Sequence, residues 1–248
     1  MPKKKRRIKK AKPSFKAPLK LERITSGIPG LDRLIEGGFW KGSTVLISGG
    51  AGTGKSIFCT QYIMEGIRKG ENCMFITLEQ KPEDLIGDVK RFGWDLRKYI
   101  QEKRLYLEYM DPFQLTDITS PLLDKIKQHK IERVAIDSTA VFGMYYKDPF
   151  EVRKQLFKLL VGLKDIGVTS LLTSELPENA KSLARFGVEE FIVDGLILLS
   201  FIGIGGQDFG NVQVRKMRRT KHATAWYPMD ITNKGIVVKK EEKRIRLK

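Results

Sequence analysis

Apolar residues follow two patterns along the 248-residue chain, and one gives way to the other near residue 190. Before that point, short continuous apolar runs alternate with stretches of helical periodicity. Thr44 to Ser48, Cys73 to Leu78, Leu105 to Glu108, Val134 to Ile136 and Val168 to Ser174 read as strands. Lys55 to Arg68, Pro82 to Phe92, Thr116 to His129 and Pro149 to Ile166 read as helices joining them. Buried runs linked by helical crossovers imply a mostly parallel sheet flanked by helices, an α/β fold. Beyond residue 190, Phe191 to Phe201, Val212 to Met217, Ala225 to Ile231 and Gly235 to Val238 follow one another without helices. That pattern predicts antiparallel C-terminal strands at one sheet edge. Ahead of the first strand, a cap-like Ser26, Pro29 and the pair Gly37-Gly38 predict a short helix followed by a turn.

Composition adds little to this picture until charge is considered. The length and the 41% hydrophobic content suit one domain, here expected over residues 21–240. No run reaches the roughly 18 apolar residues of a membrane span, and the nearest candidate, Gly195 to Gly206, is short and glycine-rich. No apolar segment backs the N-terminal charges, so a secretory signal is not expected. Cys59 and Cys73 lack metal-ligand spacing and read as reduced interior thiols, which points to a cytoplasmic protein. The net charge of +17 is uneven: residues 1–20 hold ten Lys or Arg and no acid, and residues 234–248 carry a net +5. The first stretch reads as a disordered basic arm and residues 241–248 as a basic tail, while the chain between is close to neutral.

Chemistry concentrates where the first strand meets the first helix. Gly49-Gly50-Ala51-Gly52-Thr53-Gly54-Lys55-Ser56 matches G-x-x-x-x-G-K-[ST] in the strand-to-helix context that motif requires. Glycines let the loop curl until its N–H groups face an anion, and the helix start, through Ile57, adds partial positive charge. Lys55 is expected to reach the β- and γ-phosphates of ATP, and Ser56 to ligate Mg2+. Arg133-Val134-Ala135-Ile136-Asp137 is an apolar strand ending in an acid, which suits Asp137 to the same Mg2+ shell. Glu79 follows the strand Phe75 to Leu78. If that strand lies beside the P-loop strand, Glu79 is placed to orient a water opposite the γ-phosphate; the other reading is a solvated loop acid.

Several motifs in order carry a family resemblance. GIPGLDRLIEGGFWKGS, GGAGTGKS, FITLEQKPEDL, RFGWDL, RVAIDS, ARFGVEEF, KMRRTKH and DITNKGI run from about Ile24 to Val238 as they do in KaiC-like proteins, relatives of RecA and RadA. The chain is therefore identified as resembling a KaiC-like single-domain ATPase. The resemblance implies a RecA-like P-loop core with ATP at a subunit interface, in a ring-like homo-oligomer, commonly a hexamer. It supports Glu79 as the catalytic carboxylate, with Gln80 where relatives carry a second acid. It implies that Lys216 and Arg218 reach a neighbour's γ-phosphate, and that His222 lies near the nucleotide. Arg219 stands where relatives have glycine, and Asn233 where an Asp is common. The segment Phe186 to Phe191 has no hydroxyl, so it resembles the ATPase domain and not the autokinase domain of the clock protein. Autophosphorylation and clock function are not expected.

These readings lead to an ATP-binding, ATP-hydrolysing, nucleotide-dependent oligomeric switch. Two alternatives stand beside it. One is a DNA-binding accessory protein in recombination or repair, contacting nucleic-acid phosphates through the basic arm, the basic C-terminus and Arg215 to Lys221. The other is a regulator that binds ATP with little hydrolysis, as Gln80 suggests. The remaining aromatic and histidine positions read as structural: Phe92 with Trp94 at a helix end, His129 solvated, and Phe142, Tyr145 and Tyr146 in a channel lining, a subunit contact or local packing.

Overall fold

A computed structural model describes residues 22–111, 119–177, 180, 182–204 and 207–239. The basic arm 1–20, the tail 241–248 and the start of the helix expected from Thr116 lie outside the described residues. The chain begins with a small antiparallel pair, β1 (Arg23–Ile24) and β2 (Phe39–Trp40), which brackets a 3-10 turn at Asp32–Ile35. This is the short helix expected there, in 3-10 form and followed by the expected turn. The reversal after it needs glycine, because Gly38 has φ 128° and a Cβ would lie 2.1 Å from the Ile24 carbonyl oxygen.

The main body alternates as its periodicity requires: β3 (Thr44–Gly49), α1 (Lys55–Lys69), β4 (Cys73–Thr77), α2 (Pro82–Val89), α3 (Leu96–Gln101) and β5 (Leu105–Tyr109). There follow α4 (Thr119–Gln128), β6 (Arg133–Asp137), α5 (Phe142–Tyr145), α6 (Pro149–Ile166), β7 (Thr169–Glu175) and α7 (Glu189–Ile192). The chain then folds into β8 (Gly195–Ile204), β9 (Gln207–Met217), β10 (Trp226–Thr232) and β11 (Gly235–Val238). The nine-stranded sheet has the order β11-β10-β9-β8-β3-β7-β6-β4-β5. It is parallel from β8 to β5, and β9, β10 and β11 are added antiparallel at the β8 edge. The fold is therefore the α/β class with antiparallel C-terminal strands that the patterning predicts.

Strand alternation divides the interior into two apolar layers. Val45, Ile47 and Phe75 face a core with Phe58, Tyr62 and Ile63 of α1. Leu46, Met74 and Ile76 face the other core, with Leu122 of α4 and Leu156 and Leu159 of α6. Helix α1 lies close against the sheet: a Cβ on Gly66 would meet the Arg133 side chain and the Cys73 Sγ, each at 2.6 Å. Gly70 ends α1 at φ 92°, and its N–H donates to the Gly66 and Ile67 carbonyls.

Three local expectations are corrected. The strand expected from Phe191 begins only at Gly195, because Glu189 folds its carboxylate onto the Phe186 and Val188 N–H groups and sets up the turn α7. Helix α3, capped by the Asp95 side chain on the Lys98 N–H, occupies a stretch to which the pattern assigned no element, while Phe92 and Trp94 just before it pack with ring centroids 4.9 Å apart, as expected at a helix end. His129 is not simply solvated; it stacks on Tyr106 with ring centroids 4.0 Å apart. Phe142 is buried, and Tyr145 and Tyr146 pack edge to face at 5.1 Å. Cys59 and Cys73 are both buried and free, as expected of interior thiols. Among the described residues no helix is long and apolar enough to cross a membrane.

Candidate active site

Strand β3 ends at Gly49, and the loop to α1 is shaped by glycines that differ in purpose. Gly52 and Gly54 have φ 73° and 92°, which an L side chain rarely adopts. A Cβ on Gly49 would meet the Leu199 carbonyl oxygen at 2.5 Å, so this residue is held against β8. Gly50 and Gly52 face open space, with nothing within 4 Å of an added Cβ, on the side where an anion would sit. Ala51 lines that space, and the Thr53 hydroxyl closes the loop by donating to the Gly50 carbonyl at 2.8 Å. Past Gly54, the first N–H groups of α1, those of Lys55, Ser56 and Ile57, have no acceptor one turn back within the helix.

Lys55 folds over this loop and donates to the carbonyls of Gly49 at 3.1 Å and Gly50 at 2.7 Å. Burial lowers its pKa, while Glu175, Asp137 and Glu79 act in the opposite direction. A phosphate chain entering the loop supplies the negative charge that this partly desolvated ammonium lacks. Beside it, Ser56 Oγ donates to Asp137 Oδ2 at 2.5 Å, and the Thr173 hydroxyl donates to the other carboxylate oxygen. A hydroxyl and a carboxylate in contact are hard oxygen donors and fit Mg2+, which takes one or two protein oxygens and completes its shell with phosphate and water. The peptide between Asp137 and Ser138 is cis, and the Ser138 hydroxyl donates to Glu79. Lys55, Ser56, Glu79 and Asp137 share a cavity of about 210 Å³.

The route by which Glu79 enters this cavity differs from the expectation. The strand it follows, β4, is not next to the P-loop strand; β7 and β6 stand between them. Glu79 reaches the site through the turn after β4, tied to the end of β6 by Ser138. Gln80 is held by its amide, which donates to Asp88 on α2 at 2.6 Å. The acid that does end the strand beside the P-loop is Glu175 of β7, which sequence reasoning passed over although it closes a buried run, as Asp137 does.

Lys216, Arg218 and His222 are not brought to this P-loop. Lys216 pairs with Leu196 at the start of β8, the end of the parallel strands away from Gly49. Its ammonium donates to the Glu190 carbonyl at 2.7 Å. Arg218 donates to Asp194 at 3.3 Å and to the Phe191 carbonyl at 3.2 Å. His222 belongs to the same edge, its Nδ1 3.0 Å from the Ala223 carbonyl oxygen while the Ala223 N–H donates to Leu34. Asn233 lies at the tip of the β10–β11 hairpin. Sequence reasoning also missed Asp194, a buried acid that joins this edge to Lys164 of α6 and to the Thr44 N–H.

The chain is similar to known proteins over most of its length. A family model described as "ATPase: KaiC" matches residues 24–243. The circadian clock oscillator protein KaiC of Prochlorococcus marinus is 35% identical over 242 residues, 93% of this chain and 48% of that protein. The KaiC of Parathermosynechococcus lividus is 37% identical over 224 residues, 85% of this chain and 41% of that one. The chain thus spans about half the length of these clock proteins. A crystal structure of a KaiC-like protein from the hyperthermophilic archaeon Pyrococcus horikoshii superposes with a TM-score of 0.81 at 38% identity, covering 89% of this chain and all of that one. With a family model matched over residues 24–243 and a fold shared with such a neighbour, the chain belongs to the KaiC ATPase family, as a RecA-like P-loop protein.

Proposed function

We propose that this chain binds Mg·ATP and hydrolyses it at interfaces between copies of itself, in a closed ring whose shape follows the nucleotide state. The observation that carries this reading is the separation of two cationic sets by the length of the parallel strands. Lys55 lies past the end of β3, whereas Lys216 and Arg218 lie by the start of β8, whose first residue pairs with Val45 near the start of β3. One copy therefore cannot bring both to one phosphate chain. A head-to-tail arrangement does so at every interface, and such contacts close into rings when the rotation permits.

In this reading Gly49 to Ile57 wrap the phosphates with N–H groups, and Lys55 leaves its loop carbonyls for the β- and γ-oxygens. Ser56 and Asp137 would hold Mg2+, which when bound neutralises charge between the β- and γ-phosphates. Glu79 orients the attacking water, held by the Ser138 hydroxyl. The neighbour's Lys216 and Arg218 supply positive charge as the γ-phosphate separates, and its His222 borders the same nucleotide. Charge supplied in trans in this way accelerates hydrolysis about 10³- to 10⁵-fold in other P-loop enzymes.

The test is complementation. Lys55→Ala and Arg218→Ala chains, each inactive alone, are mixed and allowed to exchange. An intact P-loop from the second then meets an intact arginine from the first, and ATPase activity returns. Mixtures no more active than the sum of their parts would sink the interface reading.

A further inference from the structure

The water-orienting acid was expected at the end of the strand beside the P-loop strand, and that strand is β7. Its last residue, Glu175, pairs in register with Gly49, and the next N–H, of Leu176, donates to the Gly49 carbonyl at 3.0 Å. Glu175 therefore stands immediately beside the phosphate loop. It lines the cavity of about 210 Å³ that holds Lys55, Ser56, Glu79 and Asp137. It also borders the larger cleft of about 680 Å³ on the other side of Gly50 and Ala51.

The three acids of this region differ in how they are held. Asp137 accepts from Ser56 and Thr173, and Glu79 accepts from Ser138. Among the described residues the Glu175 carboxylate has no hydrogen-bond donor, so its lone pairs are free to meet a ligand. Nor do the three acids converge on one ion: among the described residues no group of three or more His, Cys, Asp or Glu could hold a metal. Among the neighbouring acids Glu175 is the one whose charge acts most strongly on Lys55, ahead of Asp137 and Glu79. The residue that follows Glu79 is Gln80 and not a second acid, and its amide is tied to Asp88.

We propose that Glu175 is a second catalytic carboxylate of this site, acting with Glu79 on the attacking water. This rests on the ATPase reading above. Glu79, fixed by Ser138, orients the water, and Glu175 takes its proton. The water oxygen bonds to the γ-phosphorus as the bond from that phosphorus to the β–γ bridging oxygen breaks. The electron pair of that bond stays on ADP, and the proton passes from Glu175 to solvent as inorganic phosphate leaves.

The experiment compares the full wild-type chain with Glu175→Gln and with Glu175→Gln combined with Gln80→Glu. Mg·ATP binding is followed by calorimetry, and steady-state hydrolysis across pH. Glu175→Gln is expected to bind Mg·ATP within about threefold of wild type and to hydrolyse it about 100-fold more slowly. The added acid at position 80 is expected to restore about tenfold of the rate by returning a carboxylate to the water. Hydrolysis by Glu175→Gln at the wild-type rate overturns the proposal. So does tighter ATP binding with an unchanged rate, which would make Glu175 only a partner for Lys55. A wild-type chain that binds ATP and does not hydrolyse it would instead defeat the ATPase reading itself, an outcome seen before any variant is made.

Discussion

Asp194 accepts an ion pair from Arg218 at 3.3 Å and another from Lys164 at 2.9 Å through the same oxygen, Oδ1. Its other oxygen accepts the Thr44 N–H at 3.1 Å, at the start of the P-loop strand. Both cations are partly exposed while the Asp194 side chain is 6% exposed, so the acid has more to lose than either base.

Stability and activity should therefore separate in this cluster. Asp194→Ala leaves the Thr44 N–H without an acceptor and is expected to cost about 1–3 kcal/mol in urea unfolding. Arg218→Ala removes only a half-exposed partner and should cost under about 1 kcal/mol. In the proposed ring it should also lose about 10³-fold or more of the ATPase rate. Arg218→Ala with full activity would remove this residue from the chemistry.

Lys55→Ala should weaken Mg·ATP binding by about 1.5–3 kcal/mol, the usual value of hydrogen bonds to a charged group. Calorimetry on the two chains measures it. Asp137→Ala should make ATP binding equally weak with and without Mg2+. Unchanged affinity in Lys55→Ala would take the glycine loop out of the nucleotide site.

The two thiols should be inert in the folded chain. Burial pushes the Cys73 pKa up to about 12 and that of Cys59 well above the usual thiol range. The thiolate is the reactive form, so neither should react with a thiol-specific reagent at neutral pH until denaturant is added. Prompt labelling of the native chain would show that α1 opens away from β4.

Glu189 gives a pH dependence of definite sign. Burial raises its pKa above the ordinary 4.5, outweighing the N–H groups of Val188 and Phe186 that favour the charged form. The folded chain thus holds this proton to higher pH than the unfolded chain. The stability it contributes is fully present below pH 4.5 and is lost as pH rises through the raised value. Glu189→Gln does not titrate, so the stability of wild type relative to this variant should fall as pH rises from 4.5 through the raised value and level off above it. Thermal melts from pH 4 to pH 7 test this, and a constant difference would show that Glu189 is not desolvated.

Much of this protein can be read from local chemistry. Continuous runs such as Thr44 to Ser48 must be buried on both faces, and the helical periods between them force parallel crossovers. The phosphate loop is as legible, because glycines, lysine and serine at fixed spacing after a strand determine their own geometry. Helix α6 matches its expected limits, Pro149 to Ile166, because Asp148 caps its start and Gly167 ends it at φ 82°.

What only the tertiary structure decided is which strands are neighbours. No local signal places β7 between β3 and β6, since pairing order depends on how helices pack across the whole sheet. That order sets Glu175 beside the P-loop and leaves Glu79 to arrive from β4 through Ser138. It also sets Lys216 and Arg218 at the far end of the strands, where β9 turns back along β8. The sequence alone thus determined the layers, the loop and the kinds of side chain available for catalysis. Their distances and partners followed from long-range packing, because residues more than a hundred positions apart, such as Gly49 and Glu175, meet only when the sheet is complete.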